Sequence, residues 1–271
     1  MAIKADFSNK VAVITGGAGI LCSTMGQALA SCGAKVALLD LREESAKKEA
    51  EKINAQGGTA IGIGVDVFDV QALERARDQI IDQLGIPNIL INGAGGNNPR
   101  ATTGPDHSFF DMKSADVSFV FNLNFMGTFL PTQVFGKTFV EHDDGVIINI
   151  ASMAAFTPLT RTPAYSAAKA AIVNLTQWLA VHFNQEYSKN IRVNAIAPGF
   201  LLTDQNRYLL TDEKTGEATQ RGKDIIRATP MGKYGLPEDL TGAIIFLCSE
   251  SSAFINGTVI SIDGAFSAYS I

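Results

Sequence analysis

Short apolar runs rich in β-branched residues recur along the chain, with amphipathic stretches between them. Segments 11–15, 35–40, 59–65, 89–92, 146–150, 192–195 and 258–262 read as strands. Most lack polar alternation, as expected for strands buried on both faces. Segments 23–31, 43–55, 70–84, 117–141, 163–186 and 238–249 show helical spacing of apolar positions. Strand and helix alternate, which predicts an α/β fold: a doubly wound parallel sheet of about seven strands, helices on both faces. No internal repeat or linker interrupts the pattern, so one three-layer domain over 1–271 is expected. Two stretches, 93–116 and 199–228, are long for plain connections, and both follow strand carboxyl ends. Long loops at such ends are where substrate pockets form.

Composition narrows the function. The 271 residues are 46% hydrophobic and 18% charged, enough for a large globular core. The net charge of −5, with no basic block, argues against nucleic acid as a partner. No apolar run approaches the roughly 18 residues needed to span a bilayer, and the first residues lack a signal-peptide pattern. Cys22, Cys32 and Cys248 fit neither a zinc spacing nor a disulfide framework, and the three histidines show no ligand spacing. No metal and a cytoplasmic location are expected.

The candidate chemistry lies in PAYSAAKAAIVNL, where Tyr165 and Lys169 are four residues apart on one helical face. A cation beside a phenol lowers its pKa from about 10 and suits it to proton transfer near neutrality. Ser152 ends the preceding apolar run. Taken alone, such a pair is more often a core tyrosine and a surface lysine. At the first strand end, Gly16, Gly17 and Gly19 precede a helix, and such a turn lets a pyrophosphate approach a helix N-terminus. Asp40 ends the second strand, about 20 residues on, where a carboxylate can bind the ribose hydroxyls of NAD and repel the extra phosphate of NADP. Arg42 is close enough to blur that preference, and the alternative for Asp40 is a helix N-cap or turn residue. Asp66 and Val67 end the third strand and can flank an adenine. Asn92, Gly93, Ala94 and Gly95 end the fourth, small enough for a cofactor to lie against their backbone.

Together these residues resemble the classical short-chain dehydrogenase/reductase family over nearly the whole chain. The glycine turn is similar to that family's TGxxxGxG, residues 92–95 to its NNAG, and Pro198, Gly199 and Thr203 to its PGxxxT. The resemblance implies a catalytic set of Asn124, Ser152, Tyr165 and Lys169. Tyr165 would be the general acid/base, and Lys169 would lower its pKa and hold the nicotinamide ribose. Ser152 would bind the reacting oxygen, and Asn124 would hold a water relaying protons. It also implies that NAD, or NADP, contacts Ile20, Leu21, Leu41 and Phe200 beside the positions named above. Two departures stand out. The turn is one residue shorter, with Gly19 as second glycine and Leu21 in place of the third, so helix–strand packing there must differ. Gly93 replaces the usual second Asn.

The loops around the expected pocket are polar. Asn97, Arg100, Arg161, Gln205 and Arg207 suit a substrate carrying a carboxylate and hydroxyls. These arginines could instead pair with surface carboxylates or a neighbouring subunit. Phrases such as NGAGGNNPRATT, LTRTPAYSAAKAA and APGFLLTDQNR resemble the branch of the family described as D-mannonate oxidoreductases or fructuronate reductases. That likeness implies interconversion of D-fructuronate and D-mannonate. Alternatives are a gluconate 5-dehydrogenase-like or other polyol or sugar dehydrogenase, a 3-oxoacyl carrier-protein reductase, and a non-catalytic dinucleotide sensor. The family resemblance further implies a homotetramer or homodimer, with segments 117–141 and 163–186 forming one interface.

Overall fold

The computed structural model describes residues 5–203, 207–212 and 216–269. Seven parallel strands form one sheet: β1 (Val11–Thr15), β2 (Lys35–Asp40), β3 (Thr59–Gly64), β4 (Ile89–Asn92), β5 (Gly145–Ile150), β6 (Ile191–Pro198) and β7 (Val259–Ile262). Their order is β3-β2-β1-β4-β5-β6-β7. All of β1 and β4 and nearly all of β5 and β6 are buried, which explains the apolar runs in the sequence.

Helices α1 (Ile20–Ser31), α2 (Glu43–Ala55), α3 (Val70–Gln83), α4 (Ser114–His142) and α5 (Pro163–His182) return the chain between strands. Three more follow: α6 (Arg207–Leu210), α7 (Gln220–Ala228) and α8 (Thr241–Cys248). Two cores flank the sheet. On one face α1, α2 and α8 pack over Ile14, Leu38, Ile91 and Ile148. On the other, α3, α4 and α5 pack over Val13, Leu39, Leu90 and Ile147. Local sequence starts and stops these helices: Asp69 accepts a hydrogen bond from the Ala72 N–H at the start of α3, and Asp143 ends α4 in the left-handed region.

The order reverses between β1 and β4, so α1 and α3 lie on opposite faces and a crevice opens above their carboxyl ends. The expected strands agree with these to within a few residues. The stretch 199–228 differs from expectation, since it carries α6 and α7. Helix α7 escaped the sequence pattern because it is mostly polar and buries only Gly222 and Ile225.

Candidate active site

The crevice is a cleft of about 480 Å³ lined by the glycine turn, the end of β2, the residues after β4 and those after β6. Gly16 has φ +64°, and a Cβ there would come 2.9 Å from the Gly93 carbonyl oxygen. Gly17 lies flat on β2, where a Cβ would meet Leu38 at 2.7 Å. Only glycine permits this packing. Gly19 is the N-cap of α1 and offers no side chain to the first helical N–H groups, and no acidic residue occupies the first turn. The helix therefore presents unpaired donors and its positive end to the cleft, as a pyrophosphate requires.

Asp40 is anchored facing this turn. One carboxylate oxygen accepts from Ala18 N at 3.2 Å and the other from Arg42 N at 3.0 Å. The Arg42 Nε lies 3.6 Å away, on an exposed side chain. Ile20, Leu21, Gly95, Gly199, Phe200 and Thr203 line the same cleft, together with Cys22, Ile150 and Leu201. Leu41 is 73% exposed, Asp66 is exposed and bonded to Phe68 N, and Val67 is buried against the α4 side. The Asn92 side chain is buried in the core and bonded to Thr132 and Asn149, so only its backbone is left for the cleft side, as the sequence reading expects.

The two sequence departures compensate each other. A Cβ on Gly93 would lie 2.2 Å from Cys22 Sγ. The thiol from the shortened turn fills the space a side chain at position 93 would need. Burial pushes that thiol up to about 12, with Lys169 opposing and Asp40 adding to the shift, so it is a protonated packing group.

Four polar side chains meet beside Gly95. Lys169 is buried and donates from Nζ to the Ile150 carbonyl at 2.7 Å. The same Nζ lies 5.6 Å from the Tyr165 ring centroid. Ser152 lies close enough to influence the Tyr165 hydroxyl, and its Oγ accepts from Ala154 N. Asn124 donates to the carbonyls of Gly96 and Val120 at 2.7 and 2.8 Å, and its Oδ1 accepts from Gly96 N at 3.3 Å. A Cβ on Gly95 would meet both Asn124 Oδ1 (2.7 Å) and Lys169 Nζ (3.4 Å). Both hydrogens of the Asn124 amide are thus committed to backbone carbonyls.

Electrostatics here differ from the sequence expectation. Burial pushes the Tyr165 hydroxyl above its ordinary value, and the Ser152 hydroxyl opposes this without reversing it. Burial also brings the Lys169 ammonium down to about 8, with the nearby Cys22 thiol opposing. Desolvation is the largest cause of both shifts. The phenol is therefore held protonated, which suits it to donate a proton.

The loop after β4 is braced on every side. Asn97 donates to Thr102 Oγ1, His107 Nδ1 meets the Thr102 carbonyl at 2.9 Å, and Thr103 N donates to the Arg161 carbonyl. Ala101 packs with Ala164 and Tyr165, so this loop walls the tyrosine side. Arg100 pairs with Asp116 at 2.9 Å, the surface pairing that was its alternative reading. Arg161 and Arg207 are exposed. Gln205 lies outside the described residues. Among the described residues no cluster could hold a metal ion, and no helix is long and apolar enough to cross a membrane.

Comparison with known proteins agrees with this fold and cleft. The family described as enoyl-(acyl carrier protein) reductase matches residues 19–267. An uncharacterized oxidoreductase, UxuB, of Bacillus subtilis is 48% identical, spanning 98% of this chain and 97% of its own. The 2-dehydro-3-deoxy-D-gluconate 5-dehydrogenase of Escherichia coli is 34% identical over 97% of each. A crystal structure from Haemophilus influenza, provisionally assigned as a D-mannonate oxidoreductase and holding NAD, superposes with a TM-score of 0.92. It is 49% identical and covers 98% of this chain and 97% of its own. The chain belongs to the short-chain dehydrogenase/reductase family of NAD(P)-dependent oxidoreductases.

Proposed function

We propose that this protein reduces the ketone of a sugar acid with NADH, converting D-fructuronate to D-mannonate, with Ser152, Tyr165 and Lys169 as catalytic residues. The observation that carries the reading is the buried Lys169 ammonium, fixed on the Ile150 carbonyl 5.6 Å from the Tyr165 ring centroid, with Ser152 beside the Tyr165 hydroxyl.

The residues present fit a dinucleotide. The uncapped α1 N-terminus would take the pyrophosphate, Asp40 the adenosine ribose, and residues 198–203 the nicotinamide end. The fixed Asp40 carboxylate favours NAD over NADP by charge repulsion, and the H. influenza relative holds NAD. When bound, NADH supplies the hydride. The chain's own part is to manage the oxygen. The Ser152 hydroxyl holds the substrate carbonyl oxygen and stabilises negative charge on it. Tyr165 Oη transfers its proton to that oxygen, and the Lys169 ammonium stabilises the phenolate left behind. Asn124 fixes the Gly95–Gly96 backbone against Lys169 Nζ. Holding the phenol protonated favours reduction at neutral pH, and oxidation gains as the phenol ionises at higher pH.

Arg161, exposed and joined through its carbonyl to the loop that walls Tyr165, is the candidate partner for the substrate carboxylate, and Asn97 belongs to the same loop. A sugar-acid substrate also agrees with the printed names of the H. influenza and E. coli relatives. Incubation of D-fructuronate with NADH deuterated at C4 tests the reading. It predicts one deuterium on the carbinol carbon of the product, and label transfer only to other ketones would refute the substrate.

Two further points accompany this reading. The free, buried thiols Cys22 and Cys248 suit a reducing cytoplasm. The outer faces of α4 and α5 carry a stacked Phe121–Phe125–Phe129 ladder and a half-exposed Trp178 stacked on His182. That apolar surface supports self-association as a homodimer or homotetramer.

A further inference from the structure

A polar seam runs through the otherwise apolar core between the sheet and helices α4 and α5. Asn92 and Asn149 face each other on the paired strands β4 and β5. The residues two positions earlier on the same face, Leu90 and Ile147, are fully buried and apolar. Asn92 Nδ2 donates both to Thr132 Oγ1 of α4 and to Asn149 Oδ1, each at 2.9 Å. Asn149 Nδ2 donates to Thr176 Oγ1 of α5 at 2.9 Å, and Thr176 donates to the Ile172 carbonyl at 2.8 Å. On α4 the seam continues upward, with Thr132 donating to the Thr128 carbonyl and Thr128 to the Asn124 carbonyl.

Stability alone does not explain this seam. Apolar side chains of similar shape would fill the same layer without desolvating two amides. Asn92 Oδ1 has no partner at all, a defect that packing alone would remove.

Its geometry points to the catalytic groups. Helix α5 is fixed to β5 at two places, seven residues apart on one helical face. Lys169 bonds the Ile150 carbonyl, and Thr176 bonds the side chain of the adjacent Asn149. One clamp alone would leave α5 free to pivot about Lys169, whereas two fix its axial position and rotation. The α4 arm of the seam ends on the carbonyl of Asn124. We infer that Asn149 and Thr176 are positioning residues, which hold the Tyr165–Lys169 helix in register with β5 and, through Asn92 and Thr132, with Asn124. The inference rests on the reductase reading for its kinetic consequence, but not for its structural one.

Thr176→Val, which keeps shape and removes the acceptor, separates the two. Amide exchange of segment 163–176 should rise at least about fivefold relative to α1, as expected for one lost buried bond. Thr176→Ser should restore it. In turnover, Thr176→Val should lower kcat about tenfold or more at unchanged KM, and NADH affinity should stay within twofold. Thr176→Ser should recover most of the rate. Unchanged exchange across α5 would overturn the inference whatever the substrate proves to be. Equal losses in Val and Ser variants would also overturn it, because they would indicate packing alone. Absence of turnover in the unmodified enzyme would instead refute the reductase reading, leaving the exchange result to decide the seam.

Discussion

Replacing Lys169 by Met should make the protein more stable at neutral pH while abolishing its turnover. The ammonium is buried, and its pKa falls from 10.5 to about 8. That fall corresponds to about 3 kcal/mol against the charged form in the folded state. Methionine has a similar length and no charge to desolvate. Its substitution forfeits the hydrogen bond to the Ile150 carbonyl, which costs about 1–2 kcal/mol. The net expectation at pH 7 is a gain of about 1–2 kcal/mol, or roughly 2–4 °C in Tm for a chain of this size. The sign with pH is the distinctive part. Below pH 8 the folded and unfolded states both carry the proton, so the penalty is complete. Between pH 8 and 10.5 the folded state releases the proton and the unfolded chain retains it, so the lysine protein recovers stability relative to the variant. By pH 9.5 it should regain about 2 kcal/mol, which erases the variant's advantage. Urea unfolding of both proteins at pH 7 and pH 9.5 measures this difference, and titrations elsewhere cancel between them. A gap that is the same at both pH values, or one that widens in the variant's favour as pH rises, would refute the buried-cation argument.

Other outcomes follow from the same geometry. Tyr165→Phe should reduce turnover at least about a thousandfold, with NADH binding by fluorescence retained; wild-type rates in the variant would remove Tyr165 from the chemistry. Asp40→Ala should reduce discrimination against NADPH about tenfold or more, read as the ratio of kcat/KM values, since it removes a charge aimed at the ribose. Gly93→Ala should destabilise by about 1–3 kcal/mol through its clash with Cys22 Sγ. In a Cys22→Ala background about 1 kcal/mol of that loss should disappear, the Thr15 carbonyl at 2.8 Å retaining the rest; strictly additive losses would show that the thiol and the glycine are not coupled.

Much of the fold was legible because its signals are local. Strands buried on both faces appear as apolar runs, and β1, β2 and β4 begin and end where those runs do. The segment 70–84 shows α3 because its apolar positions face one side. Helix α7 was not legible, since its few buried positions look like loop composition. The site residues were legible as spacings, but their physical state was not. Whether Tyr165 is pushed up or down depends on burial contributed by other elements, and the i,i+4 lysine suggested the opposite direction. Arg100 looked available in sequence, and only the fold brings Asp116 to it. The exchange of space between Cys22 and Gly93, 71 positions apart, likewise appears only once β1 and β4 are side by side.

The central claim is that this cleft reduces a sugar-acid ketone with NADH. Its most direct test is the initial rate at 340 nm with D-fructuronate and NADH, against 5-ketogluconate, an acetoacetyl thioester and NADPH under the same conditions. The account predicts that kcat/KM is highest for D-fructuronate with NADH and that the rate vanishes in Tyr165→Phe. Efficient turnover only of another ketone would contradict the substrate, and tight NADH binding with no turnover of any ketone would contradict the chemistry.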